Sequence, residues 1–189
     1  NLSYLPEQIR AVLGDGSEFG LRITYSEESE PLGTAGGVGK ARDFLSETES
    51  FLIISGDALT DIDLSAMRDA HEANVAKGSI ATLATKRVDD TTQFGVVITD
   101  DEGRIQGFQE KPDPAEALSD MANCGIYMFR REIFDHFPPP DHKSPAGDDD
   151  QRVVEQRALF EICDDPRDLG ILVGNRGEIR VRVSERDVV

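Results

Sequence analysis

Four consecutive apolar residues, Phe51-Leu52-Ile53-Ile54, run directly into Ser55-Gly56-Asp57. An uninterrupted apolar run of this length, closed by turn residues, is the pattern of a strand buried on both faces of a parallel sheet. Such a strand belongs with helices, and a carboxylate just past its carboxyl end stands where open α/β sheets bind ligands. The elements that would cover such a strand must come from the sequence that flanks it.

Residues 5–13 carry Leu5, Ile9, Val12 and Leu13 at the spacing of a short helix, and Gly14-Asp15-Gly16 stops it. Residues 21–25 alternate like a strand. Residues 33–39 form a glycine-rich loop, with a helix expected over 38–45. Asp63 is placed to cap a helix reaching about Lys77, with Leu64, Met67, Ala70, His71 and Asn74 on one face. His71 reads as a residue of that helix and not as a ligand. Gly78 marks the turn before a strand over 80–85. Residues 95–99 and 104–108 flank Asp100-Asp101-Glu102-Gly103 as a β-hairpin. Another apolar strand spans 124–129, and a short helix over 131–137 ends at Pro138-Pro139-Pro140.

This alternation predicts an α/β fold: a doubly wound, mostly parallel (mixed) Rossmann-like sheet with some antiparallel pairing. Residues 1–140 read as one domain, and 141–189 as a polar linker with a charged, weakly patterned tail.

The chain holds 20 Lys plus Arg against 37 Asp plus Glu, a net charge of −17. Such an excess repels nucleic-acid phosphate and anionic membrane, so neither is expected as a partner. An acidic protein that binds anionic phosphates needs local cations, a metal or a placed Lys, to overcome its own field. No apolar run approaches the roughly 20 residues of a membrane helix, and no basic start leads into an apolar stretch as in a secretory signal. Cys124 and Cys163 are too far apart for a CxxC motif and have no His cluster beside them. A structural zinc site is not expected, and a reducing, cytoplasmic location is.

Three places carry potential chemistry. Gly33-Thr34-Ala35-Gly36-Gly37-Val38-Gly39-Lys40 invites a P-loop reading, which fails: Thr34 stands where the first Gly belongs, and Ala41 where Ser or Thr should follow the Lys. Small residues there still let a ligand approach the backbone, although the same glycines would equally permit tight packing. Asp57 suits a hard cation such as Mg²⁺ that bridges to phosphates; the plainer reading is a turn residue, as for Asp61 and Asp63. Glu110-Lys111-Pro112 puts an acceptor carboxylate beside an ammonium. Pro112 is expected to hold Lys111 extended, so that the two side chains project apart.

The ordered set Glu30-Pro31-Leu32-Gly33-Thr34-Ala35-Gly36, Ser55-Gly56-Asp57, Phe94-Gly95-Val96-Val97, Phe108-Gln109-Glu110-Lys111-Pro112 and Asn123-Cys124-Gly125-Ile126-Tyr127 resembles the sugar-1-phosphate nucleotidyltransferase family across residues 1–137. Its last member is most similar to the mannose-1-phosphate guanylyltransferase branch. The resemblance implies a nucleotidyltransferase-type fold, incomplete here, that joins an NTP to a sugar 1-phosphate with Mg²⁺. GTP and mannose 1-phosphate would give GDP-mannose. It places Gly33, Thr34 and Ala35 against the base, Gly56 beside the nucleotide and Asp57 on the metal. Gly95, Glu110 and Asn123 would contact the sugar, and Lys111 its phosphate; Asp57 and Lys111 would carry the catalytic burden.

The resemblance also implies that the family's opening strand and phosphate-gripping loop precede Asn1. Its second metal-binding Asp has no match beyond Asp168-Leu169-Gly170. A marginal fold with little or no turnover is expected of the chain as it stands. Other readings are a non-catalytic sugar-nucleotide-binding subunit, or a nucleotidyltransferase using UTP, dTTP or ATP with glucose 1-phosphate. A homo-oligomer is left open.

Overall fold

The computed structural model describes residues 1–56 and 58–137, and the backbone of 169–173. The assignment of Asp57 to a metal, Cys163, Asp168 and the linker expected from residue 141 lie outside the described residues.

Helix α1 (Pro6–Leu13) starts on its proline and ends at Gly14, whose φ of 54° no other residue type adopts easily. A short 3₁₀ turn, Ser17–Phe19, follows. The alternating residues 21–25 form no strand. Alternation needs a ladder to become a strand, and the only pairing described here is a single parallel bridge, Leu2 to Glu27.

The glycine-rich segment is helical, not a loop: α2 spans Gly33–Lys40, and α3 (Arg42–Leu45) continues after a break at Ala41. Packing overrides glycine's poor helix propensity. A Cβ at Gly37 would collide with Asn1 Nδ2, and one at Gly39 would lie 3.2 Å from the Phe137 ring.

β1 (Ser50–Ile54) leads to α4 (Leu64–Val75), capped as expected by Asp63, whose carboxylate accepts from the Ser65 and Ala66 amides at 2.9 and 3.0 Å. β2 (Ala81–Arg87), β3 (Gly95–Thr99) and β4 (Ile105–Glu110) follow, then β5 (Met121–Arg130), a 3₁₀ turn at Arg131–Asp135, and β6 (Leu169–Val173). The β3–β4 hairpin turns at Gly103, φ 79°, with Asp100 accepting the Glu102 and Arg104 amides.

The strand order is β4-β3-β5-β2-β6, with β1 also on β5. The α/β class holds, but the described sheet is mainly antiparallel. β5 runs against β1, β2 and β3, β3 runs against β4, and only β2 and β6 are parallel. The reason is a non-local insertion. β1-α4-β2 is a crossover that leaves β1 and β2 pointing the same way, yet β5 enters between them with the opposite direction. β1 is accordingly not buried on both faces of a parallel sheet, and Ile54 is 39% exposed. β6, in the weakly patterned tail, was not anticipated.

Side chains divide the sheet into two faces. Phe51, Ala81, Leu83, Val97, Tyr127 and Phe129 pack with Val38 of α2 and with Ile133 and Phe134. On the other face Ala84 and Ile126 pack under Met67 of α4. His71 is buried there, bonded through Nδ1 to Thr82 Oγ1 and through Nε2 to Ser50 Oγ, both at 3.1 Å. It is a structural helix residue, as expected. Among the described residues no helix is long and apolar enough to cross a membrane.

Candidate active site

One edge of β5 is shared by two strands. β1 pairs with its later half, Ile54 opposite Ile126, while β3 takes over at Val96 opposite Ala122. β5 bulges where they part. Opposite β2, Leu83 faces Tyr127 and Thr85 faces Asn123, so residues 124–126 stand against Ala84 alone. Bulges of this kind re-aim side chains and end pairing, and they favour functional sites.

Gly125 makes the bulge possible. Its φ is 68°, and a Cβ there would sit 2.7 Å from Ser55 Oγ. Its carbonyl accepts from Ser55 N at 3.1 Å and from Ser55 Oγ at 3.2 Å, anchoring the chain that leaves β1. Its N–H donates to Asn123 Oδ1 at 3.0 Å, and Asn123 Nδ2 donates to the Tyr127 hydroxyl at 3.0 Å. The Asn123 amide is thereby oriented by two bonds, and each end keeps capacity for another partner. Cys124 has its thiol pushed up to about 11 by burial, against the opposing charge of Lys86, so it is an inert packing residue and not a nucleophile.

Register places the remaining candidates. Val97 and Phe108 are partners on the α2 face, so Gly95 and Glu110, two residues along each strand and also partners, lie on that face. Thr85 follows Leu83 on the same face and pairs with Asn123. Ala35 of α2 packs against this cluster together with Phe108. Gly95, Glu110, Asn123 and the start of α2, with half-buried Gly33, Thr34 and Ala35, therefore share one side of the sheet. One carboxylate oxygen of Glu110 is buried. Gly56 is exposed, and a Cβ there would meet nothing within 4 Å.

Lys111 departs from expectation. It is not extended but has φ 42°, and its N–H donates to the Phe94 carbonyl at 3.0 Å. The pre-proline preference is overridden by this link back to the start of β3.

No three His, Cys, Asp or Glu side chains assemble as a metal cage among the described residues, which do not include Asp57. Mg²⁺ bound to nucleotides needs only one or two carboxylates plus substrate phosphates, so a lone Asp is a fitting donor set.

The family model that matches describes a nucleotidyl transferase and covers residues 2–164. The chain belongs to this family. Among its relatives is UTP–glucose-1-phosphate uridylyltransferase of Synechocystis, 39% identical over 172 residues, covering 85% of this chain and 44% of the relative. Another is mannose-1-phosphate guanylyltransferase of Mycobacterium tuberculosis, 38% identical over 136 residues, covering 72% of this chain and 36% of the relative. The chain thus spans less than half the length of these curated relatives. Among solved structures, HddC from Yersinia pseudotuberculosis aligns with a TM-score of 0.65 at 20% identity, over 90% of this chain and 66% of that one. That likeness shows that the two chains share a fold. Within it, the residues sequence reading passed over are Gly125, Ser55 and Tyr127. A glycine inside an otherwise apolar strand was the available signal for the first.

Proposed function

We propose that the protein joins a nucleotidyl group from an NTP to a sugar 1-phosphate, releasing pyrophosphate, with GTP and mannose 1-phosphate giving GDP-mannose in sugar-nucleotide biosynthesis. The observation that carries this is the gathering of Gly95, Glu110 and Asn123 on the α2 face, beside a bulge that opens β5.

In this reading Asn123 and Glu110 hold sugar hydroxyls, and Gly95 lets the ring approach the backbone. Lys111 meets the sugar phosphate, while Gly33, Thr34 and Ala35 face the base and Gly56 borders the nucleotide. The sugar-phosphate oxygen bonds to the α-phosphorus as the bond to the β-phosphate bridging oxygen breaks, and pyrophosphate leaves. The nucleophile is already ionised, so no general base is needed. Rate enhancement comes from orientation and charge neutralisation. Asp57 would hold Mg²⁺, which when bound offsets phosphate charge. A net charge of −17 makes local cations at such a site a requirement.

The guanylyl choice rests on Asn123-Cys124-Gly125-Ile126-Tyr127. The 39% identity to a uridylyltransferase over 85% of the chain favours UTP and glucose 1-phosphate as the second reading.

Calorimetric titration of the chain with GDP-mannose and UDP-glucose tests the proposal. Tighter binding of GDP-mannose is expected, lost in Glu110→Gln. Preference for UDP-glucose would transfer the assignment to the second reading, and binding of neither would remove both.

A further inference from the structure

We propose that Thr91 is a positioning residue for Lys111. With the Phe94 carbonyl, its hydroxyl clamps the Lys111-Pro112 backbone in a left-handed bend that aims the ammonium at the phosphate of the bound sugar. The inference rests on the reading of the site given above.

Lys111 and Leu5 are the two non-glycine residues with positive φ among those described. L side chains adopt that region reluctantly, and a following proline favours an extended residue instead. Two bonds hold Lys111 there, one on each side of it. Its own N–H donates to the Phe94 carbonyl at 3.0 Å, and the Thr91 hydroxyl donates to the Pro112 carbonyl at 2.9 Å. Both acceptor and donor come from the segment that enters β3.

That segment is itself fixed. Phe94 N–H donates to the Thr91 carbonyl at 3.2 Å, and Asp90 accepts from the Thr92 amide and hydroxyl at 3.0 and 2.6 Å. Thr91 is 4% exposed and Pro112 is buried. Losing the hydroxyl would leave a sheltered carbonyl without its donor, which is costlier than losing a bond in water.

Backbone strain persists only where surrounding contacts over-determine it, and it gathers where geometry serves a ligand. Lys111 forms no ion pair among the described residues, so no charged neighbour there explains the bend. A lysine ammonium on its flexible four-carbon stem samples a wide volume. Fixing the backbone that carries it narrows that volume and lowers the cost of orienting it on a phosphate.

Two measurements on the 189-residue chain decide the matter. The first needs no ligand. Lys111→Gly relieves the bend and is expected to raise the melting temperature by about 2–4 °C. In a Thr91→Val background, where the bend relaxes, the gain should shrink to under about 1 °C. An equal gain in both backgrounds, or none in either, overturns the clamp.

The second compares GDP-mannose with GMP, which lacks the sugar phosphate. Thr91→Val should weaken GDP-mannose about tenfold and GMP by less than about twofold, with Thr91→Ser restoring affinity. Equal weakening of both ligands overturns the positioning role, as does no weakening of either. Failure of the unaltered chain to bind either one overturns the reading of the site and the aiming with it, while the melting comparison still judges by itself whether Thr91 holds the bend.

Discussion

The two faces of the sheet are built on opposite principles. The α4 face is regular: Asp63 caps the helix with two bonds, Met67 fills an apolar niche, and both ring nitrogens of His71 are bonded. The α2 face carries four glycines in an eight-residue helix, and three of them lie in its interior at a propensity cost of roughly 3 kcal/mol relative to alanine. The positive φ of Gly33 and the strand bulge at Gly125 belong to that face as well. The α4 face meets its backbone and side-chain hydrogen-bonding needs locally, whereas the α2 face, beside the larger apolar core, accepts unfavourable backbone where the candidate site residues gather. Locally inconsistent segments of this kind are where function is expected.

Substitutions on the two faces should separate these roles. Met67→Ala empties a fully buried site on the α4 face and should cost about 3 kcal/mol of stability. Measured by urea unfolding, that loss should leave GDP-mannose affinity of the folded protein unchanged. Gly125→Ala should cost less, about 2 kcal/mol, from the strained φ and the contact with Ser55 Oγ. It should nevertheless weaken the sugar nucleotide by about tenfold or more, because the bulge orients Asn123. If calorimetry found both variants alike in affinity, the division between the faces would fail.

The same division explains what could be read in the sequence. The α4 face was legible because its signals are local: Asp63 precedes its helix, and the apolar positions repeat at helical spacing; the β3–β4 hairpin was legible for the same reason, the Asp100–Gly103 turn closing it. The α2 face was not. The glycines of residues 33–40 lie against Asn1 and Phe137, both distant in sequence. The pairing of β1 with β5 joins residues far apart in sequence, from Ser50 with Arg130 to Ile54 with Ile126, and reverses the expected direction. The bend at Lys111 is imposed by Phe94 and Thr91 against the preference that Pro112 announces. The motifs named the candidate site residues, while only the register placed Gly95, Glu110 and Asn123 on one face.

A smaller effect should follow from the helix cap. Asp63→Ala removes the acceptor for the Ser65 and Ala66 amides and should cost about 1 kcal/mol. Thermal unfolding measures it, and Asp63→Asn or Asp63→Ser should recover most of the loss. No change on Asp63→Ala would mean the α4 face does not owe its regularity to local signals.

The smallest and most selective effect is a pH dependence confined to the α4 face. Burial lowers the His71 pKa below its usual 6.5, the positive charge of Arg130 lowers it further, and Glu72 opposes weakly. A neutral ring with its proton on Nε2 satisfies every bond: Nε2–H donates to Ser50 Oγ, and the Thr82 hydroxyl, which accepts from Asn74 Nδ2, donates to Nδ1. Because the unfolded chain binds the proton more readily, the stabilisation is complete above about pH 6.5 and is lost as pH falls through the range below it. The slope is at most that of one proton. Glu132, held near 2 mainly by its bond with Arg130, contributes in a lower window, its share lost as pH falls from 4.5 towards 2. His71→Gln keeps a donor and an acceptor but cannot titrate. Urea midpoints for this variant should therefore be flat between pH 6.5 and 4.5, where the unaltered protein declines, while below 4.5 both should fall together. A decline through the upper window that survives His71→Gln would mean another group, not the buried imidazole, senses the proton.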